Sequence, residues 1–293
     1  MKIIVFVPST NQMHITALNS FYNGLMASGE KDIMLAPIET YKTGCCDVAV
    51  IFGIGKKDVP ISYPRKHVMQ GQRASGGVTV VVERGYIKRD RYYAVGLNGL
   101  NGRANFNNLF VPSDRFQNLD VEMKEWRDKG DHIIVAGQVP SDASVQNVDI
   151  INWCVTVINI LKEITDREII FRPHPLAPMN KFFSILGAKT SIRRLEDDFE
   201  NSHAVVCYNS NIGVDAVLNG VPVFAFDIGS MVWDIANKSL ADIENPVMYE
   251  RDEWANRIAY AQWNLDEISN GLAWLHIKSA VNLYLNDDKR MVQ

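Results

Sequence analysis

Twice along the chain, short β-branched runs alternate with helical stretches, and this alternation restricts the fold more than any other feature. The first run, Lys2-Ile3-Ile4-Val5-Phe6-Val7-Pro8, reads as a strand buried on both faces and stopped by a proline. Polar Ser9, Thr10 and Asn11 follow. Ile15, Leu18, Phe21, Tyr22 and Leu25 then recur at helical spacing until Gly29. Further strands are predicted at Ile33–Ala36, at Asp47–Phe52 ahead of Gly53-Ile54-Gly55, near His67-Val68-Met69, and at Val78–Val82. Residues 85–115, rich in Gly and Asn, are too long for an ordinary connection and read as a functional loop region. The pattern restarts at His132–Ala136. A helix from Asn147 to Glu163, a strand Glu168–Arg172 and a helix around Lys181–Leu186 follow, then a strand Ala204–Cys207, a helix Ile212–Asn219 and a strand Val221–Phe226. The tail from Asp252 to Leu285 is helical, carries Trp254, Trp263 and Trp274, and breaks near Asn270-Gly271. Such alternation implies parallel sheets covered on both faces. The expected architecture is α/β: two Rossmann-like domains facing a cleft, residues 1–125 and residues 126–293, the second including the terminal helices.

A length of 293 residues suits two domains, each with its own core. No apolar run approaches the roughly 18–20 residues that span a bilayer, and no small-residue cleavage site follows Ile3–Val7, so a cytoplasmic protein with no membrane span is expected. Cys45 and Cys46 are adjacent, Cys154 and Cys207 are isolated, and no CxxC occurs. This speaks against a zinc site or a disulfide framework. The net charge of −4 hides a basic zone. Between Arg65 and Arg115 nine Lys/Arg (among them Arg65, Arg84, Arg89, Arg91 and Arg103) face three acids, Glu83, Asp90 and Asp114. A basic zone on an acidic protein fits an anionic partner, and it equally fits a solvated surface balanced by nearby acids.

Three segments carry candidate chemistry. In Tyr208-Asn209-Ser210-Asn211-Ile212-Gly213-Val214-Asp215, a strand end and a polar turn lead into a helix. Ser210 or Asn211 would sit at the helix start, where free N–H groups favour a phosphate, and Asp215 one turn inside could accept from ribose hydroxyls. Plain helix capping accounts for the same residues. In Phe171-Arg172-Pro173-His174-Pro175, a strand delivers an Arg and a His into a turn stiffened by two prolines. Arg suits a phosphate fork, and His can donate to a leaving group. In Gly137-Gln138-Val139-Pro140-Ser141-Asp142-Ala143-Ser144, an amide, hydroxyls and a carboxylate follow a strand end. They could hold a diphosphate or a sugar, or form a turn feeding the next helix.

These three segments together resemble the nucleotide-binding half of GT-B glycosyltransferases, and within that fold they are most similar to capsule-polysaccharide-type transferases and phage-encoded relatives. The resemblance covers about residues 132–230, with Asp215 where the family often has Glu. It implies a nucleotide-sugar donor, UDP-linked, held by Gln138, Ser141, Asp142, Arg172, His174, Asn209, Ser210, Asn211 and Asp215. No tightly bound cofactor or required metal is implied; Glu196-Asp197-Asp198 reads as a helix start rather than a metal motif, and Gly53-Ile54-Gly55-Lys56-Lys57 lacks P-loop spacing.

The run Val82-Glu83-Arg84-Gly85-Tyr86, with Gly99-Leu100-Asn101-Gly102-Arg103-Ala104-Asn105-Phe106, resembles phage proteins thought to glycosylate hydroxymethylated pyrimidines in DNA. It implies transfer of glucose or a pentose such as arabinose to 5-hydroxymethylcytosine or its glycosylated form in phage DNA, with Arg84, Tyr86, Arg89, Arg91, Asn101 and Arg103 on double-stranded DNA. The interleaved Tyr86, Tyr92, Tyr93 and Phe106 would stack an extruded base. A surface-glycan acceptor of the Kdo type, a non-catalytic nucleotide- or DNA-binding module, and a sugar-nucleotide epimerase of similar fold are the alternatives. Glu83, at the end of the strongest N-terminal strand, is the candidate general base, with His174 and Arg172 at the leaving group. A salt bridge with Arg84 would also explain Glu83, Asp114 and Asp90 are the weaker bases, and His14 could touch the sugar.

Overall fold

The structure is a computed structural model that describes all residues except 57–58, 146–147, 178–183 and 292–293. The chain divides into two compact units, residues 1–116 with 256–293, and residues 117–255.

Among the described residues, unit one is built on a six-stranded sheet ordered β11-β5-β4-β3-β1-β2. Its strands are β1 (Ile3–Val7), β2 (Ile33–Pro37), β3 (Val48–Phe52), β4 (Val78–Arg84), β5 (Tyr92–Leu97) and β11 (Gln262–Asn264). The first four run parallel, β5 returns antiparallel beside β4, and β11 pairs antiparallel with β5. Strand periodicity sorts the core into two layers. Ile3, Val5, Val48, Val50, Val80 and Val82 meet α1 (Gln12–Ala27), α8 (Leu265–Ser269) and α9 (Leu272–Met291) on one face. Ile4, Phe6, Ala49, Ile51 and Val81 meet Val68 of α2 (Tyr63–Ala74) on the other.

Among the described residues, unit two carries a five-stranded sheet, all parallel, ordered β10-β9-β6-β7-β8. Here β6 is His132–Ala136, β7 Glu168–Arg172, β8 Lys189–Thr190, β9 Ser202–Cys207 and β10 Val223–Ala225. Numbered within the unit this is the order 3-2-1-4-5 of a doubly wound sheet. Helix α4 (Ile150–Ile164) is capped by Asp149, whose carboxylate accepts from the Ile151 and Asn152 N–H groups, and its apolar stripe packs on the sheet. Short α6 (Ile212–Leu218) lies close because Gly213 has no side chain: a Cβ there would meet Val232 Cγ2 at 2.9 Å.

Several expectations change. His67-Val68-Met69 is helix, not strand: Pro64 starts α2 within its first two positions, and the buried side is Val68, Gly71 and Gln72. Residues 92–97 are strand β5, not loop, because the β4 edge pairs with them from Val80↔Leu97 to Arg84↔Tyr93. The boundary falls at residue 116, and the terminal helices belong to unit one rather than to a domain of residues 126–293. Trp263, Trp274, Ile277 and Val281 bury themselves on the first sheet, which explains the return. Of the helix expected at Lys181–Leu186, residues 181–183 lie outside the described residues and 184–186 are not helical; Lys57 and the Asn147 start expected for α4 also lie outside the described residues. No described helix is long and apolar enough to cross a membrane.

Candidate functional site

In open α/β sheets ligands bind beyond the carboxyl ends of the strands where the strand order reverses. In unit two that point lies between β6 and β9, since the chain proceeds outward from β6 to β7 and β8 on one side and to β9 and β10 on the other. Gln138 leaves β6 and Asn209 leaves β9, and the two meet there. Gln138 Nε2 donates to Asn209 Oδ1 at 2.8 Å, and the Asn209 backbone N–H returns to Gln138 Oε1 at 3.2 Å. Asn209 Nδ2 donates to Asp227 Oδ2 at 2.7 Å and to the Ser144 carbonyl at 2.9 Å. Asp142 closes the loop by accepting from Ser144 Oγ (2.8 Å) and its backbone N–H (2.9 Å). Asn209 and Asp227 are buried, so this lattice holds the loop tips in register. Ser210, Asn211 and Asp215 at the start of α6, and Ser141 in the loop after β6, remain partly exposed around it.

His174 reaches the same end of the sheet from β7. Its Nδ1 accepts the Leu176 backbone N–H at 3.1 Å, which leaves Nε2 as the proton-bearing nitrogen of the neutral ring. His174 and Gln138 border a small apolar pocket of about 20 Å³ backed by Ile150, Cys154 and Phe171. Burial pushes the Cys154 and Cys207 thiols up to about 12, so neither is poised as a nucleophile.

Arg172 departs from expectation. It ion-pairs with Asp198, which is 1% exposed and also accepts from Ser191 Oγ, and its Nη1 donates to the Arg193 carbonyl at 2.9 Å. A buried carboxylate without a cation is unfavourable, so the guanidinium is tied to the β8–α5 region (α5, Leu195–Phe199) instead of standing open at the strand tip.

In unit one the β2-β1-β3-β4 order reverses between β1 and β3, and a second cluster sits there. The His14 ring, just after β1, stacks on Phe52 at the end of β3 with centroids 3.9 Å apart and planes 13° apart. Burial first, then the charges of Arg65 and Arg84, push the imidazole down to about 4. Glu83, next to last in β4, lies beside Gly53, its Oε1 accepting from the Arg84 backbone N–H at 2.8 Å. Arg84, Arg89 and Arg91 are exposed, Arg91 beside Asp90; Arg103 is exposed and Asn101 partly so.

Three of the four aromatics expected to stack a base are buried: Tyr86 and Phe106 pack edge-on at 6.1 Å, and Tyr93 lies against Phe52. Tyr92, at the start of β5, stays partly exposed. Arg115 is likewise committed, bridging Glu267 at 2.7 Å and lying over Trp263. Asp114 accepts from the Tyr260 hydroxyl at 2.9 Å. The sequence reading missed Asp227, counted Ser144 only among the hydroxyls of its loop, and counted Arg65 only as charge and Gly53 only in a run without P-loop spacing. A signal for the last two was present: Gly-x-Gly after a strand, followed by Pro-Arg at a helix start.

No family model and no curated protein sequence matches the chain. Solved structures do. One is KpsC, a β-Kdo 2,7-transferase of Thermosulfurimonas dismutans, 14% identical, with TM-score 0.54 over 94% of this chain and 99% of that one. Another is the KpsC β-Kdo 2,4-transferase of the same organism, 12% identical, with TM-score 0.55 over 93% and 98%. At such identities the likeness is one of fold, and the chain has the α/β fold of GT-B glycosyltransferases.

Proposed function

We propose that the protein is a glycosyltransferase using a nucleotide-sugar, with unit two taking the donor and unit one supplying the acceptor-binding surface and the base. The observation that carries this is the convergence of Gln138, Ser144, Asn209 and Asp227 on the strand-order reversal of an all-parallel sheet. The full-length likeness in fold to two Kdo transferases supports the same reading.

In this reading the residues around the lattice meet the donor: Ser141, Ser210 and Asn211 with His174 at the diphosphate of a UDP-sugar, and Asp215 at the ribose. The acceptor oxygen bonds to the anomeric carbon as the bond from that carbon to the phosphate oxygen breaks. The electron pair leaves with the diphosphate, which His174 Nε2–H stabilises, and Glu83 takes the acceptor proton. Gln138, Asn209 and Asp142 hold the loops, and Arg172 anchors the His174 turn through Asp198. The exposed Arg84, Arg89, Arg91 and Arg103 fit an anionic acceptor. With Tyr86, Tyr93 and Phe106 in the core, an acidic surface glycan is preferred over 5-hydroxymethylcytosine in DNA.

The test is incubation with a panel of nucleotide-sugars, offering acidic oligosaccharides and hydroxymethylated duplex DNA as acceptors, followed by mass spectrometry. A mass gain of one sugar on the glycan is expected. Gain on DNA alone would restore the DNA acceptor, and no gain with any pair would contradict the proposal. Asn209→Leu should weaken donor binding about 10-fold or more in calorimetry, since it leaves Asp227 and Gln138 without their buried partner.

A further inference from the structure

At the end of β3 in unit one the backbone leaves a gap where a side chain would be. Gly53 has φ +62°, and a Cβ there would lie 3.0 Å from Glu83 Oε2 and 3.6 Å from Arg65 Nη1. Carboxylate and guanidinium therefore line one gap. Arg65 Nη1 also donates to the Phe52 carbonyl at 3.4 Å, which orients the guanidinium, and the other Glu83 oxygen is fixed by the Arg84 N–H. Burial lowers the basicity of Arg65 while the charge of Glu83 opposes that loss, so the two groups are electrostatically coupled.

Local rules do not put Arg65 there. It stands with Lys66 in the first turn of α2, a turn without any acid, at the end of a helix where the dipole disfavours cations. Departures of this kind from local preference concentrate at functional sites. The charge that offsets it comes from Glu83 on β4, the strand paired with β3.

We propose that Arg65 is a positioning residue for transfer, holding the Glu83 carboxylate over the side-chain-free Gly53. The inference rests on the transferase reading above. Arg65 touches none of the reacting atoms; it aims the oxygen that accepts the proton. His14 stays an uncharged imidazole on Phe52 at neutral pH under the charges of Arg65 and Arg84, and Glu83 supplies the negative charge that acts on Arg65.

Carboxyl-carbon NMR of the full chain labelled at glutamate reads the Glu83 titration without any substrate, with Glu83→Gln assigning the resonance. Removing a neighbouring cation makes a carboxylate easier to protonate, so Arg65→Met should move the midpoint up by about half a unit or more. Arg65→Lys keeps the charge, and its midpoint should stay near wild type. In the transfer assay Arg65→Met should lower kcat about 10-fold or more at nearly constant KM and carry the acid limb of the pH profile to higher pH by the same shift. Gly53→Ala, which places a methyl against Glu83 Oε2 without changing any charge, should also lower kcat. If Arg65→Met does not fold, a lowered kcat in Arg65→Lys at an unchanged midpoint supports the inference, and wild-type kcat in Arg65→Lys overturns it. An unmoved Glu83 midpoint in folded Arg65→Met, or transfer with wild-type kcat and pH profile, overturns it as well. A moved midpoint with no transfer from any donor removes the transferase reading itself, whereas transfer indifferent to Arg65 removes only this inference.

Discussion

His14 shows how a single side chain ties the unit-one tip to pH. Asn11, at φ 75°, accepts from the His14 N–H at 3.4 Å and starts α1, and that turn lays the imidazole flat on Phe52. Burial and two arginines depress its folded pKa from 6.5 to about 4. Between those two values the unfolded chain binds a proton that the folded chain refuses, so stability rises with pH across this window and falls as pH drops through it. Urea unfolding from pH 7 to pH 4 should therefore show a steeper acid loss in wild type than in His14→Gln, which has nothing to titrate there. Equal slopes would mean that the ring is not held uncharged. The sequence placed His14 after a strand and offered it only as a sugar contact, because a histidine at a helix start carries no mark of what it will stack on. Glu83 was legible for the opposite reason: the Val78–Val82 run fixes where its strand ends.

The turn after β7 shows at the scale of elements why motif and role can part. Arg172-Pro173-His174-Pro175 was legible as a rigid turn at a strand tip, and it is one. What the sequence hid is Asp198, twenty-six residues on, which is nearly fully buried and takes the Arg172 guanidinium together with Ser191 Oγ. Arg172→Ala should then destabilise unit two by about 3–5 kcal/mol in denaturant unfolding, because it strands a buried carboxylate. Arg172→Met combined with Asp198→Leu should recover most of that loss. A fully stable Arg172→Ala would return the guanidinium to the donor side of the chemistry. Strand prediction shows the same division. Valine- and isoleucine-rich β1, β3, β4, β6 and β9 declare themselves by local pattern. By contrast β5 and β11 depend on a partner in residues 92–94 and 262–264, a pairing that short-range periodicity does not record. Helix α2 was missed because it buries only one large apolar side chain, Val68, along with Gly71 and Gln72.

At the scale of the whole molecule, two sheets of different strand order each place their polar side chains at the reversal, and the C-terminal segment is part of the first unit's core. Trp263 and Trp274 are buried against the first sheet, Trp274 donating to Glu30 Oε1 at 2.9 Å. A chain ended after Ala255 should lose hydrogen-exchange protection throughout β1–β5 while β6–β10 stay protected; retained protection in β1–β5 would mean that the sheet stands without its terminal helices. The central claim is that the β6/β9 reversal binds a nucleotide-sugar diphosphate, and a crystal structure with a UDP-sugar soaked in tests it most directly. The account predicts both phosphorus atoms beside the β9–α6 turn and His174, with Asn209 still bonded to Gln138 and Asp227. A nucleotide bound away from these strand ends, or none at millimolar donor, would contradict it.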